Sequence, residues 1–289
     1  MIIDGKLLAR EILSSLKSEV DQLKRRHYLP HLAVVLVGND PASLSYVRQK
    51  RIAAEAIGAK LSLHHFKRTP DYQKIAEFIL HLSKDHGIHG IILQRPLPPS
   101  LSAQVLTRRV SLIKDIDGFL PKTPFTPPLG LAIFKILNHI YFQQILGREM
   151  PEDDFSKTLL SWLKQQKIVL IGRGETGGKP IADTLTQHHL NLIILNSQSE
   201  NQDEYLKSGD IIISAVGKHQ IIGTKNTRPG AILIGVGIHS EKGKLRGDYD
   251  EKEIATVARF YTPIPGGVGP VNVACLMHNL VTATKLQIR

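Results

Sequence analysis

A chain of 289 residues is long enough for roughly two domains, and 42% hydrophobic residues supply a full core, which excludes a disordered chain or a small disulfide-stapled scaffold. Lys and Arg number 37 against 26 Asp and Glu, a formal charge of +11 that points to an anionic partner: nucleic acid, an acidic membrane surface, or a phosphorylated or polycarboxylate small molecule. A single cysteine, Cys275, excludes a disulfide framework and a Cys-based zinc site within one chain. Apolar runs such as residues 211–213 are far too short to span a bilayer, and Met1-Ile2-Ile3-Asp4-Gly5-Lys6 lacks the basic-then-apolar order of a signal peptide. A cytoplasmic protein is expected.

In chain order, an amphipathic stretch predicts a helix over residues 6–25, followed by a buried strand at 32–37. Ser43 reads as the N-cap of a helix over 43–58. A further helix at 71–83 leads to a strand at 88–93. Composition then shifts: Pro121, Pro124, Pro127 and Pro128 crowd together, an apolar stretch covers 129–142, and a polar piece covers 147–157. The domain junction is placed there. Strands are predicted at 167–171, 192–195, 211–216 and 231–236, with a helix at 180–187. A Gly/Pro-dense turn at 263–270 precedes a last helix at 271–285. Short Ile/Val-rich runs alternating with amphipathic stretches mean an α/β fold with parallel sheets. Residues 1–120 form one lobe, which the last helix (271–289) rejoins; residues 121–270 form a linker helix and a second α/β lobe.

The strand at 167–171 runs into Gly172-Arg173-Gly174-Glu175-Thr176-Gly177-Gly178-Lys179-Pro180. Strand, glycine turn and helix are the context of a dinucleotide fingerprint, with glycines at the first, third and sixth positions. The backbone can then approach a pyrophosphate at a helix N-terminus. The next strand ends in Asn196-Ser197-Gln198-Ser199, with no carboxylate before Glu200 to bond a ribose. Arg173 could pair with a 2′-phosphate, so NADP is favoured over NAD.

Tyr46 and Lys50 lie four residues apart, on one helical face. Taken alone, such a pair is ordinary surface packing. Gln94, however, stands at a strand's C-terminal end, where open α/β sheets bind ligands. Lys114-Asp115-Ile116-Asp117-Gly118-Phe119 brings two carboxylates close to the junction. Together with the Pro265-Gly266-Gly267-Val268-Gly269-Pro270 run, these segments resemble the bifunctional methylenetetrahydrofolate dehydrogenase/cyclohydrolase (FolD-type) family, from Ile3-Asp4-Gly5 to the last helix.

The resemblance implies two α/β lobes, the second a Rossmann-like NAD(P)-binding domain, with the active site in the cleft between them. It implies NADP-dependent oxidation of 5,10-methylenetetrahydrofolate, then hydrolysis to 10-formyltetrahydrofolate. Lys50 matches the family's catalytic lysine, Tyr46 the tyrosine along the folate, Gln94 the lysine's partner and Asp117 the pterin-holding aspartate. Ser43 falls in the same motif, and Gly266 and Gly267 match the loop near the nicotinamide. Gly172, Arg173, Gly174, Gly177, Gly178, Ser197 and Ile238 match cofactor-contacting positions. A homodimer is implied, with neither nucleic acid nor membrane as partner.

Several positions depart from the family pattern. Gly174 and Gly177 replace a usual Ser and Val, Gly235 a usual Asp, Phe125 a usual Cys and Asn272 a usual Thr, and the stretch after Phe119 is shortened. These motivate an alternative: a cyclohydrolase with weak or altered dehydrogenase activity. Charge alone motivates a second, a non-enzymatic nucleic-acid-binding protein, against which stands the low aromatic content of 6%. The adjacent pairs His64-His65 and His188-His189 lack carboxylate or Cys companions at ligand spacing, so no metal is expected.

Overall fold

The apolar run expected as the first strand forms β1 (His31–Val37), and its side chains are divided between two cores. Leu32, Val34 and Leu36 enter one buried cluster; Ala33, Val35 and Val37 enter another. Strand side chains alternate, so a continuous apolar run must be covered on both faces. Helices α1 (Gly5–Arg25) and α2 (Pro41–Ile57) bring Leu16, Val20, Val47 and Ile57 to the first cluster. Strand β2 (Lys60–Phe66) and strand β3 (Gly90–Leu93) flank β1 in parallel, in the order β2-β1-β3. Between them, α3 (Tyr72–Lys84) covers the second face with Ile75, Ile79 and Leu82, and the short α4 (Ala103–Thr107) adds Leu106. The computed structural model describes residues 1–151, 153–241 and 244–288.

The apolar stretch at the junction forms α5 (Pro128–Asn138), which continues as a π-wound segment, His139–Ile145. After α6 (Lys157–Lys164) come β4 (Ile168–Ile171), α7 (Gly178–Gln187), β5 (Leu192–Leu195), α8 (Gln202–Ser208), β6 (Ile211–Ser214) and β7 (Ile232–Gly235). An antiparallel hairpin, β8 (Ile238–Glu241) with β9 (Lys244–Gly247), precedes α9 (Glu251–Ile254) and β10 (Phe260–Tyr261). The parallel sheet runs β10-β7-β6-β4-β5, so β4 sits where the winding reverses. That switch point is where doubly wound sheets bind ligands. The last helix, α10 (Val268–Gln287), supplies Leu276, Leu280 and Val281 to the first core cluster.

The chain divides into two units, Arg10–Pro128 with Val273–Arg289, and Met1–Ala9 with Leu129–Asn272. The first residues join the larger sheet: Ile2 bridges Tyr261, and the Ile3 N–H donates to the Tyr261 carbonyl at 2.8 Å. Among the described residues, no helix is long and apolar enough to cross a membrane.

Three helix starts differ from expectation, that of α7 falling at Gly178 and not at residue 180. Ser43 is not the N-cap of α2; Asp40 is, and its carboxylate accepts the Ser43 N–H at 2.7 Å. Pro41 then occupies the first turn, where its missing N–H costs nothing. The same reason lets α10 start at Val268, with Pro270 in its first turn. β2, α6, the β8–β9 hairpin and the short elements α4, α8, α9 and β10 lie outside the expected set. In β2 the run Lys-Leu-Ser-Leu-His-His-Phe is only partly buried and carries a weaker apolar signal than the central strand.

Candidate functional site

Lys50 stands on α2, one turn beyond Tyr46. Its ammonium donates to Gln94 Oε1 at 2.8 Å. Gln94 is buried just past β3, where its N–H donates to the Val35 carbonyl at 2.9 Å and extends the β1–β3 ladder. Its side-chain nitrogen donates to the Arg95 carbonyl at 2.8 Å, which turns the amide oxygen toward the lysine. Part of Lys50 remains exposed, yet burial of the ammonium lowers its pKa, with Asp117 acting in the opposite sense. Burial raises the Asp117 pKa, while Lys50 and then Arg95 pull it down. A lysine biased toward losing a proton thus lies near a carboxyl biased toward keeping one, an arrangement suited to moving a proton to or from a bound molecule. Tyr46 is 50% exposed and offers its ring to solvent on the same helix face. Ser43 is buried in the first turn of α2.

Asp117 rides a loop that two other polar residues hold. Asp115 accepts the Leu120 N–H at 2.8 Å. Asn279, buried on α10, donates to the carbonyls of both Ile116 and Thr126 at 2.9 Å, closing the loop at its two ends. Sequence reading did not single out Asn279. A lone Asn in an apolar helix has no spacing partner, and only its unusual place among Leu276, Met277 and Leu280 hints at a role.

The glycine turn lies past β4. Gly172 adopts φ +109°, and a Cβ there would stand 2.5 Å from the Ala215 carbonyl oxygen. A Cβ at Gly178 would collide with the Gly172 carbonyl. Gly174 and Gly177 have room for one. The glycine that α7 needs for close approach is therefore Gly178, one position beyond the sixth of the expected spacing. Turn and helix start form a cradle of backbone that glycine keeps open at Gly172 and Gly178. The Gly172 N–H donates to the Leu195 carbonyl at 2.9 Å, and Ile171 pairs with Leu195. Arg173 and Ser197, both exposed, each lie two residues beyond that pair, at neighbouring strand ends. Loop 215–218, which presses on Gly172, is fixed by buried Asp248: its carboxylate accepts the Ser214 hydroxyl, the Val216 N–H at 3.1 Å and the Lys218 N–H at 2.8 Å. Sequence reading missed Asp248 as well, because nothing local distinguishes it from the turn residues around it. Ile238 opens the β8–β9 hairpin and is partly exposed. Gly266 has φ +114°, and a Cβ at Gly267 would stand 2.6 Å from the Pro263 carbonyl oxygen, so this turn too is restricted to glycine.

Residues 3–117 match the family model described as tetrahydrofolate dehydrogenase/cyclohydrolase, catalytic domain, and residues 157–288 match its NAD(P)-binding domain. The chain is 37% identical to the Bifunctional protein FolD of Bacillus licheniformis, over 100% of this chain and 98% of the relative. The chain belongs to the tetrahydrofolate dehydrogenase/cyclohydrolase family. Its structure is similar to that of the bifunctional enzyme FolD from Campylobacter jejuni, with a TM-score of 0.87, 29% identity and coverage of 99% of each chain. It is also similar to Trypanosoma brucei FolD complexed with NADP cofactor and inhibitor, with a TM-score of 0.86, 25% identity and coverage of 100% of this chain and 98% of that one.

Two departures of this family member from the family pattern, Gly235 and Phe125, have local accounts. At Gly235 a Cβ would stand 2.9 Å from the Tyr249 hydroxyl and collide with Ile264. Tyr249 donates to the Thr262 carbonyl at 2.6 Å, and the Gly235 N–H donates to Thr262 Oγ1 at 2.8 Å. The volume an Asp side chain would need is already filled. Phe125 is buried in the first core cluster with Ile116 and Leu280, so it anchors the shortened loop by packing. Nothing in the structure accounts for Asn272.

Proposed function

We propose that this chain oxidises 5,10-methylenetetrahydrofolate to the methenyl form with NADP and hydrolyses that cation to 10-formyltetrahydrofolate. The reading is carried by one observation, the 2.8 Å Lys50–Gln94 hydrogen bond beside Asp117 on the helix face that also bears Tyr46. In the hydrolysis, water adds to the one-carbon bridge, a C–N bond breaks, and one proton is released overall. The attacking water gives up two protons in all: the first ends on the departing ring nitrogen, and the second leaves to solvent as the formyl carbonyl forms. Lys50 accepts the first and returns it, because burial lowers its pKa and a cationic substrate lowers it further. Gln94 holds the lysine nitrogen in place. Asp117 accepts hydrogen bonds from the pterin's N–H groups, and Tyr46 lies against its ring. Ser43 lines the same site.

For the oxidation, the cradle of Gly172, Gly174, Gly177 and Gly178 fits a pyrophosphate. Bound there, NADP supplies the hydride acceptor. The chain contributes binding and orientation. Arg173 and Ser197 hold the 2′-phosphate, Ile238 packs on the cofactor, and Gly266 and Gly267 line its nicotinamide end. A homodimer in the cytoplasm accompanies this reading; sedimentation and cell fractionation test it.

The deciding experiment is Lys50→Met. Loss of methenyl absorbance is expected to slow by about 10²-fold or more, while NADP reduction continues. Hydrolysis at the wild-type rate would overturn the role given to Lys50. In parallel, Arg173→Ala is expected to raise KM for NADP and leave KM for NAD unchanged.

A further inference from the structure

Arg95 is not used in the chemistry above, yet it touches several parts of that site. Its carbonyl accepts the Gln94 amide N–H at 2.8 Å. Its guanidinium carbon lies 3.9 Å from the centroid of the Phe119 ring, and Phe119 follows Asp117 by two residues. A guanidinium on an aromatic face is attracted by the ring and keeps its plane parallel to a fixed support, which a lysine ammonium does not. We propose that Arg95 is a positioning residue of the folate site, a cation clamped on Phe119 that fixes the Asp117 carboxylate as the acceptor for the substrate's ring N–H groups. This rests on the folate reading given above.

The charged groups acting on or from Asp117 are Lys50, Arg95 and Asp115. Burial pushes the Asp117 carboxyl toward its neutral form, and the two cations oppose that. Lys50 cannot supply this opposition throughout turnover, because hydrolysis has it take up a proton and give it back. A guanidinium, unlike an ammonium, is a fixed positive charge in proteins. The site therefore divides two duties between two cations: Lys50 moves a proton, and Arg95 holds a constant charge while it does so. Phe119 supports this by holding the guanidinium against its ring, 3.9 Å from the centroid.

The test compares Arg95→Met, which keeps an apolar stem, with Arg95→Lys, which keeps the charge. KM and kcat for methenyl hydrolysis are measured across the neutral range, and Asp117 is titrated directly by carbon NMR of 13C-labelled aspartate, assigned with Asp117→Asn. In Arg95→Met the acid limb of kcat/KM and the Asp117 titration are both expected to move to higher pH by about one unit, raising KM about tenfold on the acid side and little on the alkaline side. Arg95→Lys, which keeps the charge without the flat support on Phe119, is expected to restore part of this. An Asp117 titration unchanged in Arg95→Met would overturn the proposal. A loss equal at every pH in both variants would also overturn it, marking Arg95 as a packing residue. If the wild type turns over no folate, the folate reading falls, and the carboxyl titration still decides whether Arg95 holds Asp117.

Discussion

Asp115 is 2% exposed at the start of the loop that carries Asp117 and Phe119. It accepts the Leu120 N–H at 2.8 Å and the Phe119 N–H at 3.4 Å, bonds that favour the carboxylate. Burial outweighs them and pushes its pKa from 3.8 to about 6. The folded chain therefore holds this proton more tightly than the unfolded one. Below 3.8 the group is neutral in both states; above about 6 it is ionised in both, and the folded state bears the whole cost. Stability is lost as pH rises between those limits. A rise of about two units at about 1.4 kcal/mol each amounts to about 3 kcal/mol. Asp115→Asn keeps an acceptor oxygen for the Leu120 N–H and cannot ionise, so it escapes this loss. The stability difference between variant and wild type is expected to shift in the variant's favour by about 3 kcal/mol from acid to neutral pH. Urea denaturation of both proteins at closely spaced pH values, followed by circular dichroism, measures it. Parallel stability curves across the window, or a wild type that gains on the variant as pH rises, would refute the assignment of burial as the dominant influence on Asp115.

Three further outcomes are expected. Gly178→Ala forces a methyl group into the Gly172 carbonyl and should cost about 1–3 kcal/mol locally, weakening NADP binding in calorimetry while methenyl hydrolysis persists. Asp248→Asn turns one of two acceptor oxygens into a donor, which then faces either the Ser214 hydroxyl and the Val216 N–H or the Lys218 N–H, so KM for NADP should rise more than KM for folate; equal effects on both would show that the change is global. Asn279→Leu strands the Ile116 and Thr126 carbonyls, and a stability loss of about 2 kcal/mol together with a raised folate KM is expected from denaturation and steady-state kinetics.

How much of the site was legible in the sequence depended on chain distance. Lys50 and Tyr46 are one helical turn apart, so a periodicity argument placed them on one face. Gln94 was recognisable as the residue after a buried strand. The glycine turn was legible because strand, turn and helix are contiguous, although which glycine needs the close approach was not. That depends on where the Gly172 carbonyl points after the chain has turned. Asp248 and Asn279 were invisible for the same kind of reason. Their partners, at 214–218 and at 116 and 126, lie far away along the chain, and no local pattern encodes such bonds.

The sequence by itself determined the α/β class, the central strands and the pairing of a folate-type cluster with a dinucleotide turn. The class, the strands and the turn follow from short-range alternation and glycine spacing, whereas the folate-type cluster follows from the family resemblance of several short motifs taken together. The excess of 37 basic over 26 acidic residues allowed any anionic partner. Only the tertiary structure decided how a few charges act. It lowered the Lys50 pKa by burial, set Gln94 against the lysine with its amide turned by Arg95, and laid Arg95 on Phe119 beside Asp117. Those effects come from desolvation and from distances of a few ångströms between residues tens of positions apart. Such proximity exists only after the chain has folded.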